Sequence, residues 1–203
     1  RTAIAKTNLH AFDRVWDNGF RQITSNGKPI TSPEDLRGFK IRVPASQLWV
    51  SMFKALNAAP AALNSSELYA ALQTRVVEGQ ENPLSNIFTQ KTFEVQKYCA
   101  LTNHMWSGYW PLTNAKKWAA LPADIQEIVA RNLNQSALDE RKDIEALNAT
   151  LEKTLTEKGM VFNRPDLKPF REALLKAGFY TEWRKKFGDE SWSILAKYAN
   201  GLA

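Results

Sequence analysis

Two histidines, one cysteine and no run of five like charges define what this 203-residue chain goes without. His10 and His104 are too few for a histidine-built metal site. Cys99, standing alone, excludes an internal disulfide and a thiolate metal cluster. No stretch approaches the ~18 uninterrupted apolar residues that a membrane-spanning helix needs. Phosphate-cradling glycine loops, a GxSxG nucleophile elbow and an HExxH zinc motif are all missing from the sequence. Aromatic residues, by contrast, are plentiful. Seven Trp, ten Phe and five Tyr supply far more buryable surface than disordered chains carry. The length suits one large domain or two small ones.

The net charge is +6, from 27 Lys and Arg against 21 Asp and Glu. Basic residues are spread among acidic ones, as in Glu182-Trp183-Arg184-Lys185-Lys186, which reads as a solvated surface rather than a phosphate-tracking stripe. A nucleic-acid partner is not expected. The opening Arg1-Thr2-Ala3-Ile4-Ala5-Lys6 has no initiator Met, apolar h-region or small-residue cleavage site, and suggests processing or truncation upstream.

Along the chain, Asn18-Gly19 is a turn signal between candidate strands. Ser32-Pro33-Glu34-Asp35-Leu36 reads as a helical turn with Ser32 as N-cap, Pro33 first and Asp35 closing the box, ended by Gly38. Phe39-Lys40-Ile41-Arg42-Val43 alternates with period two and stops at Pro44, as a strand does. Ser46 precedes a helix whose Trp49, Met52, Phe53 and Leu56 fall at i, i+3, i+4 and i+7. A short segment, 59–63, leads to a helix over 67–73. Residues 76–82 are expected to form a strand ending in a polar loop, Pro83 to open a short helix, and 98–101 and 109–113 to be strands. Strand and helix thus alternate over 39–113, the pattern of an α/β fold with a mixed or parallel sheet.

From Pro122 to Lys158 there is no Gly or Pro, and Gly159 follows as a C-terminal stop. A continuous helix there would be roughly 55 Å long. A compact domain of this size has a diameter of about 43 Å, so the helix must kink, protrude or run across two lobes. The apolar spacing breaks at Asp139-Glu140-Arg141-Lys142-Asp143, which predicts a change of environment. The end of the chain reads as helices over 167–186 and 191–200, separated at Gly188.

Candidate chemistry is sparse. Cys99 with His104 has the composition of a thiol nucleophile and base, but Cys99 sits in an apolar strand, where a lone cysteine is usually a small core residue. Glu78 and Glu81 have the spacing of an acid/base pair, though exposure or structural hydrogen bonding accounts for them more simply. Arg42 is the exception. Ile41 and Val43 share one strand face and Arg42 points to the other. In a sheet covered on both faces, an arginine cannot enter the core unpaired. Its planar fork matches a carboxylate, and open α/β sheets place ligands at their strand ends.

Those residues belong to a longer resemblance. The run from Asp35 to Pro44, DLRGFKIRVP, is similar to a signature of the DctP-type extracytoplasmic solute-binding proteins of TRAP (tripartite, ATP-independent, periplasmic) transporters. ELYAALQT from Glu67 and VVEGQENP from Val76 continue the match, with WDNGFR from Trp16 and LPADIQ from Leu121, in the family's order and spacing. The resemblance implies a periplasmic, two-lobed α/β clamp, like the periplasmic binding proteins, with a long helix crossing both lobes. It implies capture of a small organic acid and delivery to a TRAP membrane permease, without cofactor, metal or catalysis. The alternative is an α/β enzyme acting on an anionic small molecule.

Carried over residue by residue, the resemblance makes Arg42 the carboxylate clamp and Asn82 a facing ligand contact, with Arg21 a second pocket arginine. Ser65 and Tyr109 fall at variable pocket positions. Tyr109 with Trp106 or Trp110 points to a ligand with an aromatic or apolar body. The resemblance covers the C-terminal two-thirds of a family member. The second lobe, 19–107 and 148–203, is expected to be nearly complete, and 1–18 and 108–147 to be the remaining part of the first. Two positions depart from the family pattern. Arg75 stands where Gly is common, which costs about 1 kcal/mol or more if it is left-handed, and Glu78 replaces the usual Asp.

Overall fold

The computed structural model of the chain describes Ile4 and residues 6–199. The expectations placed on residues 1–3, 5 and 200–203 lie outside the described residues. Strands β1 (Leu9–Ala11), β2 (Trp16–Phe20) and β3 (Gln22–Ser25) come first, and a 3-10 turn at Pro33–Leu36 precedes β4 (Lys40–Val43). Next are α1 (Gln47–Ala55), β5 (Ala59–Ala62), a 3-10 turn at Ser65–Glu67, α2 (Leu68–Gln73), β6 (Gly79–Asn82), α3 (Leu84–Thr89), a 3-10 turn at Thr92–Glu94 and β7 (Tyr98–Ala100). The chain continues through β8 (Trp106–Tyr109), β9 (Leu112–Asn114), α4 (Ala115–Ala119), α5 (Ala123–Glu157), β10 (Val161–Asn163), α6 (Lys168–Lys176), α7 (Phe179–Phe187) and α8 (Asp189–Tyr198).

Six strands form the main sheet in the order β10-β7-β3-β6-β4-β5. β3 runs antiparallel to both its neighbours, while β10 on β7, β6 on β4 and β4 on β5 are parallel. The fold is therefore mixed α/β, as expected. One core cluster joins Ile23, Ile41, Met52 and Phe53 to Phe170, Leu174, Phe179, Trp183 and Trp192 of the last three helices. A second joins Ile87 and Cys99 to Leu155 and Met160. The helical spacing read for α1 holds: Met52, Phe53 and Leu56 are buried, with Trp49 packed half-buried beside them.

Two antiparallel ribbons, β1–β9 and β2–β8, stand apart from this sheet. The proposed division of the chain places all six sheet strands in one part and β1, β9 and α4 in the other. Both of its N-terminal cuts fall inside the β2–β8 ribbon.

Several local expectations need correction. Asn18-Gly19 is not a turn between strands but a bulge inside β2, where the pairing with β8 shifts register between Asp17 and Gly19. Gly19 takes φ 90°, which L side chains rarely adopt. The 109–113 strand is really two: β8 ends at Tyr109 and β9 begins at Leu112. Trp110-Pro111 lies between them because each half pairs with a different partner, β2 or β1. Segment 59–63 contains an edge strand, the position in which Pro60 is tolerated.

The largest correction concerns 76–82. Val76 is 62% exposed in a turn, and the strand is the polar part, Gly79-Gln80-Glu81-Asn82, buried at all four positions between β3 and β4. Polar side chains survive there because they bond one another. Gly79 is required by close approach, since a Cβ would lie 2.2 Å from the Thr24 carbonyl oxygen and 2.5 Å from the Phe39 ring.

Helix α5 is continuous over 35 residues, about 52 Å at ~1.5 Å per residue. It packs on β2, α3 and β10. The break in apolar spacing is bridged by Glu140, whose Oε2 accepts from the Asp17 backbone N–H at 2.8 Å, and Arg141 Nη2 donates to the Val15 carbonyl at 2.8 Å. Environment does change along the helix, as anticipated. Ile125 and Ile128 are exposed, whereas Ala137, Leu151 and Leu155 are buried.

Candidate functional site: a buried guanidinium beside a closed ion-pair network

The strand registers bring the polar residues together. Arg42 on β4 lies opposite Gln80 on β6, one residue from Glu81 and two from Asn82. On the other side of β6, Gln22 pairs with Asn82, which sets the preceding Arg21 beside the same strand end. Period two does the rest: Ile41 and Val43 are fully buried among apolar groups, and Arg42 points to the opposite face.

Arg42 is only 4% exposed. Its Nε and Nη2 both donate to the carbonyl oxygen of Leu63, at 2.9 and 2.7 Å. Nη1 has no hydrogen-bond partner among the described residues, and none of their carboxylates lies within ion-pair distance of the guanidinium. Burial draws its pKa below the ordinary arginine value; the charge of Glu81 opposes this shift and that of Arg21 adds to it.

Arg21, 5% exposed, is in the reverse situation. Its Nε and Nη2 hold the Glu81 carboxylate as a fork, with Nη2 at 2.8 Å from Oε1. Nη2 also donates to the Glu81 carbonyl at 2.7 Å and to Asn82 Oδ1 at 2.9 Å, and the guanidinium lies over the Trp49 ring at 5.5 Å. Among the described residues Nη1 reaches only Ser107 Oγ, at 3.5 Å.

Glu81 is fully buried and also meets His104 Nε2 at 3.1 Å, while His104 Nδ1 is 2.7 Å from Thr102 Oγ1. Burial alone would raise the Glu81 pKa. Hydrogen bonds from His104 and Arg21 and the Arg21 charge outweigh it, and the carboxyl is held below its ordinary value. Asn82 donates to Gln80 Oε1 at 2.6 Å; Gln80 bonds Thr24, which bonds Gln96.

Of the five residues singled out from sequence, Arg42, Arg21 and Asn82 converge. Ser65 lies exposed at the start of a 3-10 turn, and Tyr109 is 58% exposed at the end of β8; neither hydrogen-bonds to the cluster. Trp106 Nε1 is tied to Asp17 Oδ1 at 2.8 Å and Trp110 Nε1 to the Phe12 carbonyl at 2.6 Å.

Glu81, His104 and Trp49 belong to the cluster, and sequence reasoning did not place them there. Glu81 had been weighed only with Glu78, which turns out to be exposed and to accept from the Lys40 backbone N–H at 2.9 Å. The available signal was an acidic residue inside a run of polar residues in a sheet, which demands a buried cationic partner. Cys99 and His104 do not form a nucleophilic pair. Cys99 is fully buried, burial pushes its thiol far up, and both ring nitrogens of His104 are engaged elsewhere. Among the described residues, no three His, Cys, Asp or Glu side chains gather as metal ligands, and no helix is long and apolar enough to cross a membrane.

A profile of bacterial extracellular solute-binding proteins, family 7, matches residues 1–186. The sialic acid-binding periplasmic protein of Vibrio cholerae is 35% identical over 193 residues, covering 95% of this chain and 59% of that protein. The C4-dicarboxylate-binding periplasmic protein DctP of Vibrio cholerae is 43% identical over 136 residues, covering 66% and 41%. A TRAP periplasmic solute-binding protein from Sulfurospirillum deleyianum, solved with bound succinate, superposes with a TM-score of 0.87 at 30% identity, covering 100% of this chain and 66% of that one. Another, from a Sulfitobacter species with bound β-D-galacturonate, gives 0.85 at 28% identity, covering 91% and 61%. The chain thus spans between two fifths and two thirds of the length of these proteins. With its sheet, long helix and polar strand inside the matched residues, this chain belongs to the bacterial extracellular solute-binding protein family 7.

Proposed function

We propose that the chain is the ligand-capturing part of a periplasmic TRAP solute-binding protein, which takes a small organic acid by its carboxylate on Arg42 and passes it to a membrane permease. The relatives and structural neighbours are solute-binding proteins, which favours binding over catalysis.

The observation that carries this reading is Arg42, a buried cation whose only acceptor among the described residues is a neutral carbonyl. A buried charge is costly unless it is paired and hydrogen-bonded. Arg21 and Glu81 cancel, so the excess charge of this group is the guanidinium of Arg42. A ligand carboxylate supplies the missing anion and accepts from the unused Nη1. Charge-assisted hydrogen bonds contribute ~1.5–3 kcal/mol each, a substantial part of the ~8 kcal/mol that micromolar binding needs. Succinate and galacturonate, bound in the two neighbours, are carboxylates.

Within this reading Arg21 serves mainly to hold Glu81 and Asn82 in place, with only Nη1 left for a ligand. Residues 19–107 and 148–203 form one lobe and 1–18 with 108–147 part of the other. Closure of the lobes on the ligand excludes water and strengthens the charge pair.

The test is isothermal titration with succinate, galacturonate and sialic acid, on this chain and on a chimera carrying the additional length of the Vibrio sialic acid-binding protein. Saturable binding that disappears in Arg42→Ala supports the clamp. Absence of binding in both versions overturns it.

A further inference from the structure

Between Ile23 of β3 and helices α1, α6 and α7 lies a cavity of about 350 Å³. Arg42, Arg21, Asn82, Ser65 and Tyr109 do not line it. Met52 and Phe53 of α1, Leu56 at its C-terminal cap, and Phe170 and Leu174 of α6 supply apolar walls, each less than a tenth exposed. The space is half open to solvent and lined mostly by apolar groups, the usual form of a small-molecule site, which is a concave apolar pocket with a few placed polar groups.

The polar groups of the wall are few and mostly engaged. His104 contributes its ring, edge-on to Phe53 with centroids 5.6 Å apart, and both its nitrogens are taken by Thr102 and Glu81. Arg171, the cation in the wall, already has an interaction of its own. Two hydroxyls and the side-chain NH2 of Asn103, whose Oδ1 accepts from Gln22 Nε2 at 2.7 Å, keep hydrogen-bonding capacity. Thr102 Oγ1 uses one of its three positions on His104, and the Tyr180 phenol has no hydrogen-bond partner among the described residues. Apolar walls, three aromatic rings (Phe53, Phe170 and Tyr180) and three neutral hydrogen-bonding groups, from Thr102, Asn103 and Tyr180, suit a flat apolar guest with one polar atom. An anion would lack an uncommitted cation there.

We propose that this cavity is a second binding site, distinct from the Arg42 cluster, for a small neutral aromatic molecule carrying one hydrogen-bonding group, of the phenol or indole class. Its wall shares His104 with the Glu81 network, but its occupancy does not depend on Arg42.

The experiment is calorimetric titration of the full chain with indole and 4-methylphenol, with benzoate as the charged comparator, alongside thermal melting. Saturable binding of at least one neutral probe with a raised Tm is expected, and benzoate should bind at least tenfold more weakly. Two variants that fill the space, Leu174→Trp and Leu56→Phe, should each weaken the neutral probe at least tenfold. Circular dichroism confirms that they fold, and if Leu174→Trp does not, Leu56→Phe alone decides. Arg42→Ala should leave this binding unchanged. The proposal is overturned if neither neutral probe binds, if the folded filled variants bind as the parent does, if benzoate binds equally well, or if Arg42→Ala abolishes the binding.

Discussion

Arg21 and Glu81, 60 residues apart in sequence, meet as a two-pronged buried ion pair, in which Arg21 Nη2 lies 2.8 Å from Glu81 Oε1. Both side chains are almost fully buried, 5% and 0% exposed. The pair uses the fork of one arginine, while the other, Arg42, has a carbonyl as its only acceptor among the described residues. Two arginines that look alike in the sequence are therefore in different situations: one is paired with a buried carboxylate, and the other donates to a backbone carbonyl.

Arg42→Lys should weaken carboxylate binding at least tenfold, about 1.4 kcal/mol. Lysine keeps the positive charge but presents a compact ammonium without the planar fork. Calorimetry on parent and variant checks this, and equal affinities would remove Arg42 from the clamp.

Glu81→Gln should destabilise the fold by about 3 kcal/mol, since it leaves the Arg21 guanidinium buried without its counter-charge. The pH dependence follows from the lowered Glu81 pKa, held below its ordinary 4.5 against the opposing effect of burial. A carboxyl with a depressed folded-state pKa contributes stability above its unfolded value, and the contribution is lost as pH falls through the folded value. The stability gap between parent and Glu81→Gln should be full at pH 7 and shrink progressively below about 4.5. Asp35 should shift acid sensitivity in the same direction. Partial burial opposes its ionisation, but hydrogen bonds from Lys28, Thr31 and Ser32 prevail and hold its carboxyl low. Urea denaturation at a series of pH values measures both effects.

Arg75→Gly should stabilise the protein by up to about 1 kcal/mol. Arg75 has φ 59° just after α2, a left-handed position that penalises any Cβ by roughly 1–2 kcal/mol, part of which glycine forfeits through its freer unfolded chain. Thermal melting should show a Tm higher by ~2–4 °C for a chain of this size. A lower Tm would mean that the exposed Arg75 side chain makes a contribution larger than its backbone strain.

Cys99 should resist thiol reagents in the native state. It is fully buried in the cluster of Ile87, Leu155 and Met160, and burial raises its thiol pKa, so little thiolate forms. Labelling with a disulfide reagent should proceed only as fast as unfolding exposes it. Rapid labelling at low denaturant would show that β7 opens locally.

Legibility varied along the chain for physical reasons. Helix α1 and strand β4 were readable because an apolar period reports which face is buried, and both faces proved to be core. Strand β6 was misread because its burial is not apolar. Its Gln80, Glu81 and Asn82 are buried through long-range hydrogen bonds to Thr24 and Arg21, which no local pattern announces. Likewise Trp110-Pro111 looked like the middle of one strand, because the partner strands β1 and β2 lie about a hundred residues upstream.

The sequence by itself determined the fold class, the long helix, the lack of a disulfide within this chain and the placing of a charge, Arg42, inside a strand, because period, composition and residue type are local properties. Only the tertiary structure decided which arginine is paired with a carboxylate and which with a carbonyl. That depended on the register of β6 between β3 and β4, which brings Glu81 to Arg21 rather than to Arg42. Charge pairing in a buried site is settled by distance and desolvation, and both arise only when strands far apart in the chain lie side by side.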